Sequence, residues 1–308
     1  MSSVSIARQR GLYAGLPDQD LPPIRRDLSR LREQLSTGKR INRPSDGPDA
    51  FAVAQEMKTL GNQLQRRMET IEATRPFVDR TQQELDGMID LFAQAKEKGV
   101  RAATDSLSDD DRSAIARELR SIKDEVVDRL NARQNDEHLF AGTRTGTSPF
   151  NADGTVNGTY DDIDGARTRP VARNQSLKTN ITGAELHRYD TTPNATKTIT
   201  GALDGLISAV DPADATTNDV RDSLGEVEAA LDHVIAKGAE AGTIGNRLST
   251  ARDQLDAAQL TARERQSEAE DADLAKVAST LQQKQTQLQA ALKAVASTKQ
   301  QASLVNLL

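Results

Sequence analysis

The sequence predicts a mainly α protein: an elongated helical bundle with coiled-coil terminal helices and a small β-rich domain inserted mid-chain. Three observations carry this. Apolar residues recur at spacings of seven near both ends of the chain, the period of a bundle seam. Aromatics are only 3% and tryptophan is absent, so a core must be built from Leu, Ile, Val and Ala, which suits long helices. The stretch from about His138 to Asn194 is rich in Gly, Thr, Asn and Asp with β-branched residues between turn signals, which reads as short strands.

The elements follow in order. The first 23 residues read as irregular, because Pro17, Pro22 and Pro23 should break a helix there. Ile24, Leu28, Leu31 and Leu35 repeat at 4, 3 and 4, and Gly38 stops that stripe. After the turn NRPSDGP, Ser45 or Asp46 can cap the next helix. In it Met57, Leu64, Ile71, Val78, Leu85 and Phe92 stand at sevens, with a kink expected at Pro76. Ser108 should cap a helix whose buried stripe is Ile115, Leu119, Ile122, Val126 and Leu130. Helical pattern returns near Thr200, with Val220, Leu224, Val227, Leu231 and Val234 as one stripe and Ile244, Leu248 and Leu255 as another. Leu274, Leu281, Leu288, Val295 and Ala302 again sit at sevens, with Leu292 beside them. The implied organisation is a terminal coiled-coil layer from residues 1–45 plus 268–308, a helical bundle from 46–137 plus 200–267, and a β-rich domain from 138–199.

Composition narrows the chemistry. With 40 basic and 46 acidic residues the net charge is −6, which argues against a nucleic-acid or anionic-membrane surface. There is no cysteine, so disulfides and thiolate sites are excluded. No apolar run approaches the ~20 residues of a membrane span, and MSSVSIARQR lacks the core of a cleavable signal peptide. His138, His187 and His233 are scattered and read as packing or surface residues. Asn151, Asp153, Asn157, Asp161, Asp162 and Asp164 miss the calcium-loop spacing and read as turn formers. No catalytic constellation, metal site or cofactor motif is expected.

The stretch QLSTGKRINRPSDGPDAFAVA, Gln34 to Ala54, admits three readings. A phosphate cradle needs converging glycine N–H groups between a strand and a helix, and here a lone glycine lies between two helices. A helix stop with solvated Lys39 and Arg40 is the plain reading. The third, preferred here, is an assembly joint in which a fixed turn sets Arg40, Asn42, Arg43 and Asp46 against neighbours. The terminal seams support it. A helix of about 15 residues is marginal alone, and pairing it with the C-terminal helix leaves apolar edges such as Leu292 needing further partners.

LSTGKRINRPSDGPDAFAVA resembles the N-terminal signature of bacterial flagellins and their junction-protein relatives. SEAEDADLAKVASTLQQKQTQLQAALKAVASTKQQASLVNLL resembles their C-terminal segment, and LSDDDRSAIARELRSIKDEV their inner helix. LFAGTRTGTSPF, Leu139 to Phe150, points to the junction-protein branch. The resemblance implies a structural subunit of the bacterial flagellum, extracellular and exported through the flagellar type III apparatus without cleavage. It implies packing of copies in a helical or ring-like array, with contacts to a hook-side junction protein and to flagellin, and a chaperone during export. The alternatives are a short flagellin and, from another class, a cytoplasmic coiled-coil adaptor. The expected interface comprises Ile24, Leu28, Leu31, Leu35, Gly38, Arg40, Asn42, Arg43, Pro44 and Asp46 from the N-terminal side. Asp271, Asp273, Leu274, Leu281, Leu288, Leu292, Val295, Leu304 and Leu307 complete it from the C-terminal side.

Overall fold

The computed structural model describes residues 21–104, 107–172, 175–190, 197–211 and 217–305. Seven helices carry most of these. They are α1 (Leu21–Thr37), α2 (Pro48–Ala102), α3 (Asp109–Leu130), α4 (Gly183–His187), α5 (Ile199–Val210), α6 (Thr217–Glu270) and α7 (Leu274–Val305). The strands are β1 (Arg133–Gln134), β2 (Glu137–His138), β3 (Thr168–Ala172) and β4 (Gln175–Lys178). The chain divides into two compact units, residues 1–63 with 258–308, and residues 64–257.

In the larger unit the seven-residue stripe of α2 is buried as its period requires. Ile71, Val78, Leu85 and Phe92 are each at most 2% exposed. Helix α2 is continuous through Pro76. Ser108 accepts the Asp111 N–H at the start of α3, and three aspartates occupy that helix's first turn, where its dipole favours negative charge. The whole predicted α3 stripe is buried. Helix α3 packs on α5, with Lys123–Asp204 and Arg120–Asp211 pairs at 2.6 Å on the rim. The two stripes read between Val220 and Leu255 belong to one 54-residue helix, α6. Leu139, Phe140, Ile163, Ile181 and Leu186 of the middle segment are buried in the same cluster as Leu85, Phe92 and Leu119.

The β structure begins earlier than composition suggests. β1 and β2 form a two-residue hairpin whose turn residues, Asn135 and Asp136, have φ of 49° and 64°, the left-handed pair that such a hairpin needs. β3 and β4 pair antiparallel, with a register shift between Pro170 and Ala172. Gly142, within LFAGTRTGTSPF, has φ +58°, and a Cβ there would lie 2.6 Å from the Gly165 backbone nitrogen. No other residue fits.

In the smaller unit α1 packs against α7. The helix starts at Leu21, not after Pro23, which corrects the expectation of an irregular segment through residue 23. Pro22 and Pro23 stand in its first turn, where a missing N–H costs no intrahelical bond. The other early residues, Pro17 among them, lie outside the described ones.

Candidate assembly joint

Two chain turns meet in the smaller unit. The first opens where α1 ends. Gly38 has φ +73°, and its N–H reaches the Gln34 carbonyl at 2.9 Å, the left-handed stop that glycine adopts without strain. The second follows Glu270, the last residue of α6. Its terminal carbonyls have no partner inside the helix, and the first turn supplies partners. The N–H groups of Arg40 and Ile41 donate to the Glu270 carbonyl at 2.6 and 3.2 Å, and the Ala272 N–H donates to the Gly38 carbonyl at 2.9 Å. Lys39 and Asp271 thereby pair as an isolated antiparallel bridge.

Side chains reinforce the backbone. The Lys39 ammonium donates to Glu270 Oε1 at 2.8 Å, and Gln266 holds the same oxygen at 2.8 Å. The Arg40 guanidinium caps the Ala269 carbonyl at 2.9 Å, a cation at the negative end of α6. Ser267 donates to the Asp271 carboxylate. Asp273 accepts the Lys276 N–H at 3.0 Å and caps α7. Within the first turn, Asp46 Oδ2 accepts the N–H groups of Asn42 (3.1 Å) and Arg43 (3.0 Å). The Asn42 N–H first, then that of Arg43 and the charge of Arg30, hold the Asp46 carboxyl below the usual carboxylate range. Asp46 thus folds back on its own turn rather than capping α2, whose first bond runs from Phe51 N–H to the Gly47 carbonyl at 2.9 Å. Arg43 grips Glu33 at 2.8 Å. Ile41, 2% exposed, is the apolar pin.

The arrangement is mechanical. It ties the end of α1, the end of α6 and the start of α7 into one knot, and backbone bonds fix its geometry. Of the residues expected here, Gly38, Arg40, Asn42, Arg43, Asp46, Asp271 and Asp273 are brought into it, all engaged with the chain itself. Pro44 opens a short 3-10 turn, Pro44–Asp46. Sequence reasoning missed Gln34, whose amide holds the Arg40 carbonyl at 3.1 Å, and Glu33. It also missed the meeting of the two turns, whose residues are far apart in sequence.

The expected seam residues are placed as follows. Leu28 is 3% exposed, and Ile24, Leu31 and Leu35 are half-buried. On α7 the half-buried row is Val277, Leu281, Lys284, Leu288, Ala291 and Val295, a 4–3 alternation. Lys284 reaches Asp27 of α1 at 2.8 Å. Leu274, expected in the row, is 49% exposed, and Leu292 is 42% exposed; Val277 takes the first place in the seam. Leu304 is described only as part of α7, and Leu307 lies outside the described residues.

The remaining candidates are structural. Asp153 accepts the N–H and hydroxyl of Thr155, and Asp162 those of Thr159, which is turn chemistry. His138 is bound to the Asn131 carbonyl at 2.8 Å. No group of three or more His, Asp or Glu among the described residues is placed to hold a metal. No described helix is long and apolar enough to cross a membrane.

In this mainly helical chain the joint ties α1, α6 and α7 together, and Leu274 and Leu292 stay exposed on α7. The chain belongs to the bacterial flagellin family. The model for the bacterial flagellin N-terminal helical region matches residues 19–145, and that for the C-terminal helical region matches residues 224–308. Among curated proteins, flagellar hook-associated protein 3 of Salmonella typhimurium is 28% identical over 242 residues, covering 72% of this chain and 74% of the other. The protein of that name in Escherichia coli is 26% identical over 279 residues, covering 85% and 87%. Among solved structures, a putative flagellar hook-associated protein from Vibrio parahaemolyticus superposes with a TM-score of 0.64 at 22% identity, covering 73% of this chain and all of that one.

Proposed function

We propose that this chain is a structural subunit of the bacterial flagellum that joins the hook-side junction to the flagellin filament. The observation that carries it is the likeness to two hook-associated protein 3 chains, one of them over 85% of this chain. The joint fits that work. Copies stack through the terminal helices α1 and α7, in a ring-like or helical array, and the knot at Gly38–Asp46 and Glu270–Asp273 fixes how those helices leave α2 and α6. The exposed Leu274 and Leu292 are the apolar surface that neighbours cover. Exposed apolar side chains gain about 25 cal/mol for each Å² removed from water. The partners in this reading are further copies, a hook-side junction protein, flagellin, and an export chaperone that shields the ends before assembly. The subunit works outside the cell after export through the flagellar type III apparatus, and no catalysis, cofactor or metal enters.

A deletion strain tests it. Loss of a junction subunit leaves hooks in place while flagellin accumulates unpolymerised in the medium, and this chain restores filaments. Loss of a filament subunit instead removes only filament material. Recovery of the chain solely from cytosol would sink the reading.

A further inference from the structure

His187 closes α4, is 2% exposed, and takes no part in the joint. Both its ring nitrogens are bound. Nε2 lies 2.8 Å from the Thr200 hydroxyl on α5, and Nδ1 lies 2.8 Å from the Tyr160 hydroxyl. Thr200 gives its own hydrogen to the Gly154 carbonyl at 3.2 Å, so toward His187 it can only accept. Nε2 therefore carries the hydrogen, and Nδ1 is the bare acceptor of the Tyr160 O–H. One neutral tautomer thus ties together α4, α5, the turn at Gly154 and the 3-10 turn Tyr160–Ile163. Phe150 packs on the ring at 4.9 Å.

A proton on Nδ1 breaks this pattern. Tyr160, whose hydroxyl burial keeps protonated, loses its acceptor, and an imidazolium appears where no carboxylate compensates it. Carboxylates on the surrounding elements are already engaged with other groups. Glu185 of α4 holds Lys178 at 2.6 Å, Asp162 holds Arg144 at 2.7 Å, Asp164 accepts from Thr182 at 2.9 Å, Asp153 is bound by Thr155, and Asp204 of α5 holds Lys123. From α6 come His233, whose Nε2–H donates to the Glu185 carbonyl at 2.9 Å, and Glu226, whose carboxylate accepts the Tyr189 hydroxyl at 2.6 Å. The charge that acts on His187 is a like one, the Arg188 guanidinium, which lies 4.3 Å over the Tyr160 ring.

We propose that Tyr160, His187 and Thr200 form an acid-released clasp: neutral His187 holds the middle segment closed, and protonation opens it while the long helices stay paired. Burial, with the Arg188 charge as a smaller cause, pushes His187 down to about 4 from 6.5, against a weaker upward pull from the Gly154 carbonyl. A histidine lowered on folding stabilises fully above its unfolded value, and that stability is lost as pH falls from about 6.5 to about 4. In that window the ratio of open to closed forms rises ~tenfold per pH unit. Glu185 is held below its ordinary 4.5 and Asp153 and Asp162 below 3.8, so their contributions begin to fall only below those values, and the span from 6.5 to 4.5 reports His187 apart from them.

The test uses the full chain. Histidine ring resonances are titrated from pH 8 to 3.5 by NMR, alongside hydrogen exchange of residues 150–205 corrected for intrinsic rate. His187 should stay neutral through pH 6 and titrate together with loss of protection in that segment, while protection in α3 persists. His187→Gln, whose amide can accept from Tyr160 and donate to Thr200, should flatten the response between pH 6.5 and 4.5. His233→Gln should leave it in place, and separates the lowered titration of His233 from that of His187. Titration of His187 near 6.5 with protection unchanged would overturn the clasp, as would an undiminished acid response in His187→Gln. Should that variant not fold, the wild-type coincidence of titration and opening decides.

Discussion

The Lys39 ammonium lies 2.8 Å from the Glu270 carboxylate across 231 residues of chain. Glu270 is 14% exposed and Lys39 43% exposed at their side chains, so the pair is only half shielded from water. Such a pair contributes under about 1 kcal/mol. The backbone bonds beside it therefore hold the joint, and the charges select its register.

That ranking is testable. Lys39→Ala should cost less than about 1 kcal/mol. Gly38→Val should cost about 1–2 kcal/mol from the left-handed backbone alone, because nothing lies within 4 Å of a Cβ at Gly38. Denaturant unfolding of both variants compares them. A larger loss for Lys39→Ala than for Gly38→Val would reverse the account.

Cysteines in place of Lys39 and Asp271, the two bridge partners, should oxidise to a disulfide without reshaping the turn. Antiparallel partners sit at Cα separations of about 4.5–5.5 Å, within the range that a disulfide spans. Quantitative closure, read by mass spectrometry, with motility retained is the expected result; a closed form that cannot support motility would mean the two turns separate during assembly.

Leu288→Asp places a carboxylate in the half-buried row facing α1. An unpaired polar group there costs roughly 1–3 kcal/mol. The expected outcome is loss of swarming and faster proteolysis of α1 and α7, with the melting of the larger unit unchanged. Normal motility would remove the seam from the argument.

Phe92→Ala tests the other unit. Phe92 is fully buried, and truncating such a ring costs about 3–5 kcal/mol. Calorimetry should show the main transition lowered. Gly142→Ala should also lower it, since the new Cβ meets the backbone of Gly165 and Ile163, which cannot step aside as a side-chain tip would.

Much of this was legible in the sequence. The rows at sevens, the Ser108 cap and the Gly38 stop each depend on residues within a turn or two of one another, and local spacing records that. The start of α1 was not legible, because Pro22 and Pro23 read as breakers until the helix is seen to begin just before them. Leu274 fits the repeat, yet the face that α7 turns to α1 starts at Val277; a period fixes which residues share a face, not where the partner helix begins.

By itself, then, the sequence determined helix type, the apolar faces and the stops, since each follows from short-range sterics and from the 3.6-residue turn. Tertiary structure alone decided that Lys39, Arg40 and Ile41 meet Ala269 and Glu270, and that His187 lies between Tyr160 and Thr200. Contacts between distant segments are selected by the packing of the whole core and by the need of every buried polar group for a partner, and neither condition is written in local spacing.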